Sequence, residues 1–181
     1  MDLITFLLLL SATLIVGLNL VALYWLIGLT IPIFAGGGPY VPTRPEIMNQ
    51  MFALANITSH DCVVDLGSGD GRLVLASVEK GAKQAIGYEI HPLLVRLSRN
   101  KISQAGHQEK AVIFNRSMWK ADLHNINVVL LYQIPYSMNR MKQLLEKELA
   151  PGSRIISHAF EIPGWIPDAT YGKALLYIIK K

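Results

Sequence analysis

A single cysteine in 181 residues, Cys62, rules out an intrachain disulfide framework. It lies in an apolar strand pattern, where a free thiol behaves as a small buried hydrophobe rather than a nucleophile. Charge is missing from a long stretch as well. No charged side chain occurs between residues 3 and 43, and all 17 Lys and Arg lie from Arg44 onward. Only Asp2 of the 13 acidic residues precedes that point, so residues 44–181 set seventeen basic against twelve acidic side chains, an excess of five. That mild basicity suits a surface beside anionic lipid or an ordinary soluble domain, and no nucleic-acid partner is expected. His60, His91, His107, His124 and His158 show no metal-ligand spacing with Cys62 or with one another, so no metal is expected either. Internal repeats and low-complexity tracts are also lacking.

The uncharged stretch has a meaning of its own. Leu3 to Phe34 is far longer than the ~7–15-residue core of a signal peptide. At about 1.5 Å rise per residue, ~20 residues cross a hydrocarbon layer near 30 Å, so this run spans it with length to spare. Tilt, or a break before Pro32, absorbs the excess. Asn19 is the one strongly polar interior side chain, and Tyr24 and Trp25 suit an interface. Basic residues follow the run and none precedes it, which places the C-terminal part on the cytoplasmic side. Three units follow: a transmembrane anchor over 1–35, a linker and N-terminal helix over 36–58, and a catalytic domain over 59–181. Ala35 to Pro39 reads as the joint.

Beyond the joint, Pro45 opens a helix with Ile47, Met48, Met51, Phe52 and Ala55 at helical spacing. Strand and helix patterns then alternate. VVDL (63–66), AIGYE (85–89), AVIFN, NVVLLY and RIISHAF read as strands, with helices after the first and second of them and over SMNRMKQLLEKELAPG. Such alternation means an α/β sandwich around a mostly parallel sheet. After Trp165 only ALLYIIK reads clearly as a strand, so a trimmed C-terminal hairpin is expected.

Ligands of such sheets sit outside the carboxyl ends of the strands, where the strand order reverses. Gly67-Ser68-Gly69-Asp70-Gly71 lies there, after Asp65 and before a helix. Its glycines admit close backbone approach. Its G-x-G-x-G spacing differs from the G-x-G-x-x-G of dinucleotide binders. Asp65 and Asp70 would each oppose a pyrophosphate by a few kcal/mol at ~4–6 Å. S-adenosylmethionine, with an ammonium and no phosphate, removes that objection. Glu89 closes the second strand, where a carboxylate accepts from both ribose hydroxyls. Dehydrogenases share that feature, so the acidic first loop is what discriminates.

DLGSGDGR followed by GYEIHPLLVRLSR, with PYVPT upstream and RSMWK and FEIPGWIPD downstream, resembles a family of membrane-anchored protein-lysine methyltransferases. Its eukaryotic members modify the c-ring protein of ATP synthase and the adenine nucleotide translocase. The resemblance covers roughly Gly38 to Tyr171 and implies a Rossmann-like class I methyltransferase fold. It also implies S-adenosylmethionine as cofactor and a membrane-protein lysine as target, on the inner membrane of a bacterium or of a mitochondrion. Asp65, Gly67, Ser68, Gly69, Asp70, Gly71 and Glu89 then form the cofactor loop, and Ser117 and Met118 the adenine contact. Two positions depart from the family pattern: Ser117 replaces an Asp, and His91 replaces an Asn ahead of Pro92.

Methyl transfer from a sulfonium is an in-line displacement that needs positioning and a neutral amine. A lysine of pKa ~10.4 must therefore lose its proton in the site. Glu46 and Asp168 are base candidates by resemblance alone. Tyr40, Thr43, the Gln133-Ile134-Pro135-Tyr136 turn and Trp165 would wall the acceptor pocket, since aromatic faces and carbonyls suit a cationic amine. Two other readings stay open: a methyltransferase for a lipid amine or small molecule, and a catalytically idle S-adenosylmethionine-binding membrane protein.

Overall fold

The computed structural model describes residues 2–34 and 38–180, so part of the 35–39 joint lies outside the described residues. Helix α1 (Leu3–Phe34) is uninterrupted, and the break expected before Pro32 is not there. Pro32 falls in the last turn, where its missing N–H removes a single hydrogen bond near the helix end. Over Leu3–Tyr24 the helix is long and apolar enough to cross a membrane, with none of it buried against the rest of the chain. Its polar groups are turned inward. Asn19 donates Nδ2 to the Ile15 carbonyl at 2.8 Å, and Ser11 and Thr13 return their hydroxyls to Leu8 and Leu10, both at 2.8 Å.

The remaining elements are α2 (Pro45–Ala55), β1 (Cys62–Leu66), α3 (Arg72–Glu79), β2 (Gln84–Glu89), α4 (Pro92–Gln104), β3 (Ala111–Asn115), β4 (Val128–Leu131), α5 (Pro135–Glu148), β5 (Arg154–His158), β6 (Ala169–Tyr171) and β7 (Ala174–Ile178). A single 3₁₀ turn, Met118–Lys120, follows β3. Three of the helices begin with Pro at N1, where its missing N–H costs nothing and its φ is already helical.

The strands form one sheet in the order β3-β2-β1-β4-β5-β7-β6. The first five are parallel, and β7 runs antiparallel to both of its neighbours. The C-terminal hairpin is thus complete, contrary to the sequence expectation. β6 was hard to see because it is three residues long and mostly exposed, so it has no buried run to betray it.

Alternate strand residues feed two cores. Val63, Ala85, Ile113 and Leu130 pack under α2, α3 and α4. Val64, Leu66, Val129, Leu131 and Ile155 pack against α5, with the coil around Leu123 and Ile126 filling the rest of that face. At the amino ends of the strands a polar knot closes the sheet. Asp61 accepts from Thr58 N (2.7 Å) and Asn127 Nδ2 (2.8 Å) and pairs with Arg154, whose Nη1 donates to the Ala55 carbonyl at 2.7 Å. Asn127 Oδ1 accepts the N–H of Cys62 at 2.7 Å. Cys62 itself is half-buried, because it sits at the first position of β1.

Candidate functional site

A cleft of about 510 Å³ opens at the carboxyl ends of β1, β2 and β4. Its floor is the loop from Gly67 to Asp70, and Gly67, Gly69 and the following Gly71 have positive φ (91°, 53° and 76°). Each also faces a different neighbour. A β-carbon would fall 2.6 Å from Gln133 Nε2 at Gly67, 2.6 Å from the Tyr40 ring at Gly69, and 2.5 Å from Ser98 Cβ at Gly71. The loop is therefore closed on three sides by side chains that only glycine admits. Gly67 and Ser68 both donate to the Tyr88 carbonyl at 3.0 Å, which pins the loop to the end of β2.

Glu89 completes the pinning. It is buried, and its two oxygens accept separate backbone amides: Oε2 from Gly69 at 2.8 Å and Oε1 from His91 at 2.7 Å. Each oxygen retains a further lone pair toward the cleft. His91 occupies the N-cap of α4, and its Nδ1 accepts from Leu93 N at 3.2 Å. The departure from Asn thus keeps the cap, with an imidazole nitrogen as acceptor.

The two loop carboxylates differ sharply. Asp65 is buried, and no cation pairs with it among the described residues. Burial, then the nearby charges of Glu89 and Asp70, push its carboxyl up to about 8. Asp70 is held at about 2: burial opposes its ionisation, but hydrogen bonds from Arg72 and Lys101 more than offset that. Arg72 meets it in a fork, Nε to Oδ1 and Nη2 to Oδ2 at 2.8 Å each, and reaches the Thr43 carbonyl at 2.9 Å through Nη1. Asp70 therefore presents little net charge to the cleft. Neither acid therefore sets a full negative charge against a phosphate at neutral pH: Asp65 keeps its proton, and Asp70 is paired and fastens the Tyr40–Thr43 strap to the loop. The Arg72 partner stood two residues away; Lys101, from α4, gave no local sign.

Buried polar atoms without partners cluster here as well. Ser68 Oγ and Gln133 Oε1 have no hydrogen-bond partner among the described residues. Gln133 is buried at the end of β4, and its Nε2 donates to the Leu66 carbonyl at 2.7 Å, so its free oxygen is fixed as an acceptor. His158 Nδ1 is the third orphan; its ring packs 4.1 Å from that of Tyr132, behind the cleft wall. Burial, then the charge of Lys173, keep that imidazole below its ordinary range.

Tyr40, Thr43, Ser117 and Met118 line the cleft together with Asp65, Gly67, Ser68, Gly69, Asp70 and Glu89, whereas Gly71, at the N-cap of α3, stands behind the lining against Ser98. Ser117 caps the 3₁₀ turn through a long contact, its Oγ 3.4 Å from Trp119 N. Tyr132, Trp119 and Phe160 also line it. Trp119 and Phe160 belong to the RSMWK and FEIPGWIPD stretches, but those gave them no place in the cleft, and Tyr132 follows β4 without a motif of its own. Pro135 and Tyr136 stand just outside the lining: Pro135 starts α5 and Tyr136 is exposed. Trp165 is elsewhere. The chain after β5 doubles back across the α5 face, so that Ala169 pairs with Leu176. Trp165 there packs 5.9 Å from the Tyr177 ring and donates Nε1 to Glu146 at 3.3 Å, at the end of the sheet opposite the cleft. Asp168 lies on that same side, paired with Lys180, and Glu46 is exposed in the first turn of α2. Neither carboxylate lines the cleft. Among the described residues no group of His, Cys, Asp and Glu is placed to hold a metal.

A zwitterionic nucleoside fits these features. The cleft offers an unpaired buried carboxylate, a glycine cradle without room for side chains, spare acceptor capacity at the end of β2 and two orphaned polar atoms. Comparison with known proteins agrees. Residues 65–169 match the family model described as the ANTKMT methyltransferase domain. A protein-lysine N-methyltransferase of Saccharolobus islandicus is 36% identical over 130 residues, covering 71% of this chain and 81% of that protein. The Xenopus laevis lysine N-methyltransferase named for the c-ring protein of ATP synthase is 34% identical over 172 residues, covering 92% of this chain and 74% of the relative. The crystal structure of an RNA methyltransferase from Salinibacter ruber with S-adenosyl-L-homocysteine superposes with a TM-score of 0.74 at 32% identity, over 77% of this chain and 94% of that one. The chain belongs to the ANTKMT methyltransferase domain family, with a class I methyltransferase fold and S-adenosylmethionine as its cofactor.

Proposed function

We propose that this chain is a membrane-anchored protein-lysine methyltransferase, with its catalytic domain on the cytoplasmic side and a lysine of a membrane protein as acceptor. The observation that carries it is the apolar helix over Leu3–Tyr24, joined by a short segment to residues that line the cleft. Relatives named as lysine N-methyltransferases of the ATP synthase c-ring protein and of adenine nucleotide translocase support a membrane-protein target.

The cofactor supplies an electrophilic methyl group on a sulfonium. Asp65 would answer its ammonium, and the loop from Gly67 to Asp70, whose glycines leave room for close approach, would lie along its amino-acid tail. Glu89 takes the ribose hydroxyls with the lone pairs left over from Gly69 and His91. Ser117 and Met118 face the adenine. On the acceptor side Gln133 Oε1, a buried acceptor without a partner among the described residues, would hold an N–H of the neutral amine. Tyr40 and Thr43 wall the approach. Desolvation in a largely apolar cleft would lower the amine's pKa, so that its proton passes to solvent as the amine enters.

A second reading, an RNA acceptor, is favoured by the name of the Salinibacter ruber structure. Incubation of the full chain with labelled cofactor and host membranes, total RNA or extracted lipid separates these two readings from each other and from a lipid-amine acceptor. The proposal expects label that protease removes and that maps to lysine in a membrane protein. Label removed by ribonuclease would replace it with the RNA reading, and label in lipid would replace it with the lipid-amine reading.

A further inference from the structure

The lip of the cleft carries apolar side chains that the domain does not cover. Val41 is 52% exposed, Leu93 37% and Leu97 44%, and all three line the mouth. Leu93 and Leu97 stand one turn apart on α4, with exposed Arg96 on the same outward face, while Val95, Ser98 and Ile102 face the core. Arg44, exposed, follows the strap; Glu46 is the acidic neighbour there. The flanking Asp70 is already satisfied by Arg72 and Lys101. An apolar ridge edged by cations and poor in free carboxylates is the pattern of an interfacial surface.

Chain length says which surface. The 32 residues of α1 make a rod roughly 48 Å long. At an ordinary tilt near 20° such a rod spans about 45 Å, the thickness of a bilayer with its headgroups. Phe34 then ends at headgroup level. From Phe34 to Gly38, which lines the cleft, there are four peptide steps, at most about 14 Å when fully extended. The strap that follows is fastened to the domain by the Tyr40 ring on Gly69 and by Thr43 on Arg72. The lip therefore has no freedom to drift far from the bilayer.

We infer that Val41, Leu93 and Leu97, with Arg44 and Arg96, seat the cleft mouth on anionic phospholipid headgroups, so that the domain takes acceptor amines presented at headgroup depth and disfavours those on long soluble arms. This rests on reading α1 as an anchor.

The test uses the full chain in nanodiscs, in a Cys62→Ala background, with an environment-sensitive label on Leu97→Cys or on Ile166→Cys, an exposed position at the far end of the sheet. Headgroup spin-labelled lipid is expected to quench the label at 97 several-fold more than at 166. An Arg44→Ser/Arg96→Ser variant is expected to reduce that quenching in phosphatidylglycerol-containing discs and to leave pure phosphatidylcholine discs unchanged. Equal quenching at 97 and 166 in disc-embedded protein overturns the docking surface while leaving the anchor intact. Shielding at 97 from an aqueous quencher without lipid quenching assigns the ridge to a second copy of the chain and also overturns it. Failure of the chain to enter discs at all overturns the anchor, and the docking surface with it.

Discussion

Glu89 holds the backbone amide of Gly69 at 2.8 Å, so the carboxylate that ends β2 sets the shape of the loop that follows β1. Its other oxygen is committed to His91 N at 2.7 Å. A glutamine here can accept only one of those two amides, because its NH₂ group would confront the other. Glu89→Gln is expected to lower stability by roughly 1–3 kcal/mol and to weaken cofactor binding at the same time. Thermal melts with and without S-adenosyl-L-homocysteine check both; an unchanged melting temperature without ligand would show that the amides are not held this way.

Asp65 gives the protein a pH dependence of definite sign. The folded chain keeps this proton up to about pH 8, whereas the unfolded chain releases it near ~3.9. Between those values the unfolded state binds fewer protons, so the group's contribution to stability falls as pH rises. Asp65→Asn is expected to flatten the decline in ligand-free melting temperature between about pH 5 and 8. Cofactor affinity is expected to rise over the same range in the native chain alone, since the ammonium is drawn to the ionised carboxylate. Parallel slopes in the two proteins would contradict this. Asp70, held at about 2, contributes stability that is lost only as pH falls below ~4, outside that window.

Gln133 is expected to act on the acceptor side. Gln133→Leu should lower kcat about tenfold, the value of one hydrogen bond made in the transition state, with S-adenosyl-L-homocysteine affinity nearly unchanged. The Leu66 carbonyl also loses its partner, so a modest fall in melting temperature accompanies the change. A loss confined to cofactor affinity would move Gln133 to the other side of the cleft.

Trp165 is expected to matter for folding and not for chemistry. Trp165→Ala should cost about 1–2 kcal/mol, as expected for a partly buried indole removed from Tyr177. The kcat of the remaining folded protein should match that of the native chain. A drop in kcat at full occupancy of the fold would bring this residue back into the site.

Much of the domain can be read from the chain before it folds. Pro45, Pro92 and Pro135 mark helix starts because proline costs nothing there, and glycines punctuate the loops where φ is positive. The acid–glycine loop and Glu89 stand out by spacing, and they lie together at the cleft. What escaped depends on distance. Lys101 reaches Asp70 from thirty-one residues away, so a carboxylate that looks free is neutralised. Trp165 follows a strand whose carboxyl end faces the cleft, yet its loop turns back, and only the pairing of β6 with β7 reveals the direction. The double use of Glu89 was invisible too, because an acceptor's lone pairs leave no trace in spacing.

The two ends of the sheet are built to opposite standards. Around Asp61, Asn127 and Arg154 the polar groups are mutually satisfied, while at the far end Ser68, Gln133 and His158 each retain an atom unmatched among the described residues. Strand amides should accordingly exchange with deuterium slowly near the amino ends and progressively faster toward the cleft, with the gradient levelling once a guest fills it. Sequence drift that raises heat tolerance has its room at the cleft end, where every gain in rigidity would be taken from the space a ligand needs.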